Sequence, residues 1–118
     1  MANPNIVNVV SILANTAVLN VITSLSNVVT NAVGSNTVVK LNNFVVSNYS
    51  NTNISANVTL VRSSVTYYLA GTITVPSNST LVVIGKDTAL YLIEGDYMQS
   101  SASANNSAHS IASYEVIN

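Results

Sequence analysis

Between Ile54 and Leu60 the chain alternates, with Ile54, Ala56, Val58 and Leu60 separated by Ser55, Asn57 and Thr59. A period of two puts one set on a single face of a strand, so this segment predicts a half-buried β-strand with Ile54, Ala56, Val58 and Leu60 inward and Val61 outward. Turn signals bound further strands over 38–47, 65–70, 72–75, 81–84, 89–93, 97–103 and 110–117. Asn48 to Asn53 reads as a loop, because short polar side chains compete with ladder bonding. Gly71 predicts a bulge or bend, and Pro76-Ser77-Asn78-Ser79 a stop, since proline cannot donate to a ladder. Gly85-Lys86-Asp87 and Glu94-Gly95-Asp96 predict turns, and 104–108 a polar loop.

Two segments resist this reading. In 38–47 both faces are apolar: Val39, Leu41 and Val45 lie on one, Val38, Phe44 and Val46 on the other. Near the start, Ile6, Val9, Val10 and Leu13 fit a helical stripe, yet the β-branched content favours strand. We expect strands over 17–24 and 27–33, and an arm or edge strand over 1–13. Strands spaced about 8–12 residues apart predict one antiparallel β-sandwich or jelly-roll-like domain of about seven or eight strands. The expected organisation is an N-terminal arm or edge strand over 1–16 and a sandwich over 17–118.

Composition supports an all-β fold. The chain has 19 Val, 9 Ile and 11 Thr, a third of its 118 residues, and such side chains fit a pleated surface. It is also poor in charge. Charged residues are 6%, against roughly 25% in ordinary globular proteins. Spread over the roughly 6,100 Å² that a folded monomer of this mass exposes, they are too sparse for a freely soluble monomer. Such scarcity suits a protein that covers its surface with partners or with neutral polar groups, and 18 Asn and 17 Ser supply the latter. There is no basic face for a phosphate backbone, so no nucleic-acid partner is expected. The first charged residue is Lys40, but Asn, Ser or Thr interrupts every apolar run, so no membrane span is expected. Met1 to Asn5 lacks a secretory pattern, so synthesis in the cytoplasm is expected.

The chemical inventory is thin. The chain has no cysteine and one histidine, His109, expected to be exposed in an Ala/Ser/Asn loop. No Gly-x-Ser-x-Gly elbow is present to pair with it, and no catalytic residue is expected. Asp87, Glu94 and Asp96 offer hard oxygen ligands, but Glu94-Gly95-Asp96 lacks the alternating pattern of a calcium loop and reads as a turn. No metal and no cofactor is therefore expected. Five Asn-x-Ser/Thr sequons, at Asn48, Asn53, Asn57, Asn78 and Asn105, are about what chance gives in so Asn- and Ser-rich a chain. Six tyrosines, Tyr49, Tyr67, Tyr68, Tyr91, Tyr97 and Tyr114, suit contact surfaces or the rim of a core.

The run Thr72-Ile73-Thr74-Val75-Pro76, then Leu81-Val82-Val83-Ile84-Gly85-Lys86-Asp87, then Leu90-Tyr91-Leu92-Ile93-Glu94-Gly95-Asp96, with Ala102-Ser103-Ala104 and Ser113-Tyr114-Glu115 behind it, resembles small virion structural proteins of tailed bacteriophages of the marine and cyanobacterial type. The resemblance covers roughly 17–118. It departs at Ile93, where the acidic turn usually has a charge, and in a loop unusually rich in Asn and Ser. It implies a non-enzymatic protein of the virion, labelled head, neck or tail component in different members. Our expectation is a capsid decoration (cement) protein present in many copies on the outer head shell. The alternatives are a tail or neck component and a receptor- or carbohydrate-binding module. The expected partners are the major capsid protein or other virion proteins, and further copies of the chain itself.

The expected partner contact is the uncharged N-terminal segment, through Ile6, Val7, Val9, Val10, Ile12 and Leu13. Six sizeable apolar side chains at about 1.5–3 kcal/mol each favour burial, and Pro4 suits an edge or arm. An arm adding a strand to a neighbour gains main-chain hydrogen bonds without needing charge. The alternative is that 5–13 is the first strand of the domain's own sheet.

Overall fold

Because β-branched residues fill the chain between Asn-, Ser- and Gly-containing turns, strand dominates. The computed structural model describes residues 10–118. Among them it holds nine strands: β1 (Ile12–Val21), β2 (Ser26–Thr30), β3 (Val38–Asn48), β4 (Ile54–Arg62), β5 (Val65–Val75), β6 (Thr80–Ile84), β7 (Leu90–Leu92), β8 (Tyr97–Ala102) and β9 (Ala108–Ile117). The helical structure described is a 3-10 turn over Lys86–Thr88.

All pairings are antiparallel. One sheet runs β1-β9-β3-β6, with the three-residue β7 also on β3; the other runs β2-β8-β4-β5. The pairs β1–β9, β2–β8, β3–β6 and β4–β5 describe a chain doubled back on itself at the β4–β5 hairpin. Wrapping that ribbon then sets β9 beside β3 and β8 beside β4. With β7 set aside, this is an eight-stranded jelly roll.

The core lies between the two sheets. Leu41, Phe44 and Val46 from β3 face Val58 from β4 and Met98 from β8, all fully buried. Ile54, Ala56 and Val58 point inward as the alternation predicts, and half-buried Leu60 packs on the same cluster. The outer side of β4 departs from expectation. Thr59 and Val61 are also buried, at 0% and 5% exposure, between Tyr68 and Gln99 and between Thr66 and Tyr97 in the ladder.

The ambiguity in 38–47 has a structural cause. The register of β3 against β9 shifts between Leu41 and Asn43, leaving Asn42 as the extra residue of a bulge. The bulge flips the phase, so Val39 and Leu41 face the core before it and Phe44 and Val46 after it. Neither strict period-two face was the core face.

At the start, β1 begins at Ile12, so the expected boundary between residues 16 and 17 falls inside one continuous strand. β1 is an edge strand of its sheet. It ends at Val21 and β2 ends at Thr30, both sooner than expected. Asn31, 2% exposed, explains the second stop. Its Nδ2 donates to the carbonyls of Thr37 and Leu92, and its Oδ1 accepts from Ser35 and Thr37. At the opposite end of β3, buried Asn48 donates to the carbonyls of Thr52, Val75 and Pro76 and accepts from Ser50. Each amide ties two loops together. The β4–β5 hairpin turns on Ser63 and Ser64, both left-handed at φ 52° and 63°, the two-residue turn that matches strand twist.

Candidate interaction surface

His109 is exposed on β9 and stacks on Tyr49, ring centroids 4.4 Å apart. Asp96 is buried and held: Arg62 donates from Nε at 2.9 and 3.1 Å and from Nη2 at 2.6 Å, and the Ile93 N–H donates at 3.0 Å. The hydrogen bond that Arg62 donates to Asp96 raises the Arg62 pKa above the usual arginine range, against an opposing effect of burial. Glu94 is buried too. Its Oε2 accepts the Asn36 N–H at 2.6 Å, while Oε1 has no partner among the described residues. Asp87 lies exposed in the 3-10 turn. Among the described residues no three His, Cys, Asp or Glu side chains approach closely enough to hold a metal ion. Glu94 and Asp96 are structural groups of the turn that closes β7 to β8.

The outer face of the β1-β9-β3-β6 sheet is more informative. Ala17 and Val21 on β1, Ala108 and Ala112 on β9, Val46 on β3 and Leu81 and Val83 on β6 face or pack on the core. Alternation therefore turns Val18, Ile111, Val45 and Val82 outward. Register sets these four side by side: Val18 opposite Ile111, Ile111 opposite Val45, and Val45 opposite Val82. The result is an apolar row across four strands, about 14 Å wide at the usual strand spacing. Val18 is 73% and Val82 60% exposed, and the two central residues are half-buried by their neighbours. A hollow of about 340 Å³, lined by Val18, Leu19, Asn20, His109 and Ile111, opens at its β1 end.

The flanks of the row are neutral and polar. Asn20, His109, Ser47 and Thr80 align on one side, and Thr16, Ser113 and Asn43 on the other. Beyond Thr16, Glu115 and Lys40 sit opposite each other with opposite signs. An apolar stripe with a hydrogen-bonding rim is the anatomy of a protein contact.

The other sheet has a second apolar region at its edge. On β5, Val65, Tyr67, Tyr68, Leu69 and Ile73 are all more than 40% exposed. Tyr49 and Tyr91 are exposed as well. Tyr114 instead packs on the core and its hydroxyl accepts from Asn15 at 3.2 Å. Tyr97 is half-buried, so the six tyrosines divide between surface and rim.

Of the expected contact residues, Ile6, Val7 and Val9 lie outside the described residues. Val10, Ile12 and Leu13 are 87%, 52% and 64% exposed, the last two in β1 itself. The structure brings Ile12 and Val18 onto one face of β1 and turns Leu13 to the other. The apolar row escaped sequence reasoning because its members are separated by up to 93 positions (Val18 to Ile111). The only local hint was the alternation of Val18, Val45 and Val82 with inward neighbours. Compared with protein-family models, curated proteins and solved structures, the chain finds no match in any of the three.

Proposed function

We propose that the protein is a non-enzymatic structural component of a phage virion, a decoration protein that docks on the outer head shell in many copies. The observation that carries the reading is the exposed apolar row Val18–Ile111–Val45–Val82 with its neutral polar rim. Such a face suits a partner met through apolar contact and hydrogen bonds, not through charge. Two further points support it. The segments from Thr72 to Asp96 resemble virion proteins, and the jelly roll is common among viral capsid domains, an argument by fold analogy alone. The partner is the major capsid protein or another protein of the shell.

The test is incorporation. Quantitative mass spectrometry of purified virions is expected to find hundreds of copies, whereas about a dozen or fewer would favour the tail or neck instead. Val82→Asp, on the far side of the sheet from β1, is expected to fold normally and to lose most of its occupancy. Because charge contributes little, occupancy is expected to survive a rise to about 1 M salt, where screening is nearly complete. Absence from virions, or full occupancy by Val82→Asp, counts against the reading.

A further inference from the structure

The edge strands of the two sheets are not equivalent, and β7, paired only with β3 among the described residues, is three residues long. β2 and β6 are five residues long, and each has a register shift against its neighbour. β5 is longer but has two register shifts against β4 and a left-handed Thr72 at φ 51°, the kind of irregularity that twists an edge away from pairing. β1 has none of these protections. It pairs with β9 over ten residues in one unbroken register, and it contains no charge, proline or glycine.

Its open side can be worked out from the ladder. Ser11 and Asn118 exchange both backbone hydrogen bonds, at 3.3 and 3.0 Å. In an antiparallel pair such residues alternate with pairs that make none. Leu13, Asn15, Ala17, Leu19 and Val21 therefore bond to β9. The N–H and C=O groups of Ile12, Ala14, Thr16, Val18 and Asn20 point to the open edge. Asn15 Oδ1 accepts from the Thr16 N–H at 2.8 Å; among the described residues no side chain meets the other outward N–H groups.

We propose that β1 is the seat of a two-fold dimer, in which it pairs antiparallel with β1 of a second copy. With Thr16 on the axis, Ala14 of one copy lies opposite Val18 of the other, and Ile12 opposite Asn20. Every outward-pointing backbone group then meets another, and the Asn15 bond to Thr16 is exchanged for a main-chain one. The occupant is a second copy because a strand is its own complement about a two-fold axis. An uncharged strand also meets itself without repulsion. Ile12, Leu13 and Val18, exposed on the two faces of the edge, gain cross-strand neighbours worth a few tenths to about 1 kcal/mol a pair. The inference is independent of the virion reading, since the dimer forms in the isolated protein.

Sedimentation equilibrium of the purified protein is expected to give twice the 12.3 kDa chain mass. Hydrogen exchange is expected to find the Ala14 and Val18 amides slow in the dimer and fast after dilution. Thr16→Lys puts two like charges at the axis, and Val18→Pro removes an outward N–H while leaving the β9 ladder intact. Both are expected to raise the dimer dissociation constant at least about tenfold, with far-UV circular dichroism unchanged. Should either variant fail to fold, exchange in the unaltered protein decides. A protein monomeric at every concentration overturns the proposal, as does a dimer whose Ala14 and Val18 amides exchange freely. Open-ended polymers overturn it as well, because they mean a head-to-tail contact such as β1 on β5.

Discussion

The hydroxyls of Ser100 and Ser110 meet 2.8 Å apart in the middle of the core, one from each sheet. Both residues are fully buried, and each satisfies the other between β8 and β9. They are small enough for the sheets to approach closely, and their bond fixes which residue of one sheet faces which of the other. Replacing either alone by alanine leaves a buried hydroxyl without its partner, at a cost of about 1–3 kcal/mol. Replacing both removes the need as well as the bond. The double variant is therefore expected to lose clearly less than the sum of the two single losses in urea titration.

Asn48 gives a sharper case, because its amide serves three carbonyls and two donors of neighbouring loops. Asn48→Ala is expected to cost more than about 2 kcal/mol, through several buried groups left unpaired. Asn48→Asp keeps the shape but has no N–H to give to Thr52, Val75 or Pro76. It is expected to be at least as damaging, which calorimetric melting of the two variants checks.

The Arg62–Asp96 pair sets a pH expectation. Arg62 has its pKa raised by the hydrogen bond to Asp96, so its contribution is present below the unfolded arginine pKa and fades only as pH climbs through the still higher folded value. Arg62→Gln is therefore expected to cost the same near pH 6 as near pH 9. The Arg62 side chain is 41% exposed, so water screens the pair, and the loss is expected to be on the order of 1–2 kcal/mol. Denaturant curves at the two pH values measure it.

At the β4–β5 hairpin, Ser63 and Ser64 both hold left-handed backbone, which costs a non-glycine residue about 1 kcal/mol or more. Asn-Gly is the pair preferred for such a turn. The double change Ser63→Asn, Ser64→Gly is expected to stabilise the protein by about 1 kcal/mol, seen as a higher urea midpoint with an unchanged slope.

The buried position of Val61 alters one expectation drawn from alternation. Leu60→Ala, at a half-buried site on the core, is expected to cost about 2 kcal/mol, the low end for such changes. Val61→Thr puts a hydroxyl into a site only 5% exposed, and is expected to cost about 1–3 kcal/mol, not the negligible amount an open outer face implies. Equilibrium unfolding of the two variants side by side tests this.

Much of the architecture is local, and for that reason it was legible in the sequence. The alternation of Ile54, Ala56, Val58 and Leu60 depends only on the two-residue period of a strand. The turn at Gly95 depends only on that residue's freedom to adopt φ 89°. Together with the stop at Pro76 and the β-branched composition, such features determined an all-β sandwich. The sequence alone also determined that the surface is nearly free of charge. Tertiary structure decided the rest. The face of β3 that is buried changes at Asn42 because a bulge against β9 falls there. Among the described residues, Asn31 and Asn48 became buried loop clamps because loops distant in sequence converge on their amides. The apolar row across Val18, Ile111, Val45 and Val82 exists only through the registers of three strand pairs. Those registers are set by packing between the sheets, a sum of many weak long-range contacts that no window along the chain contains.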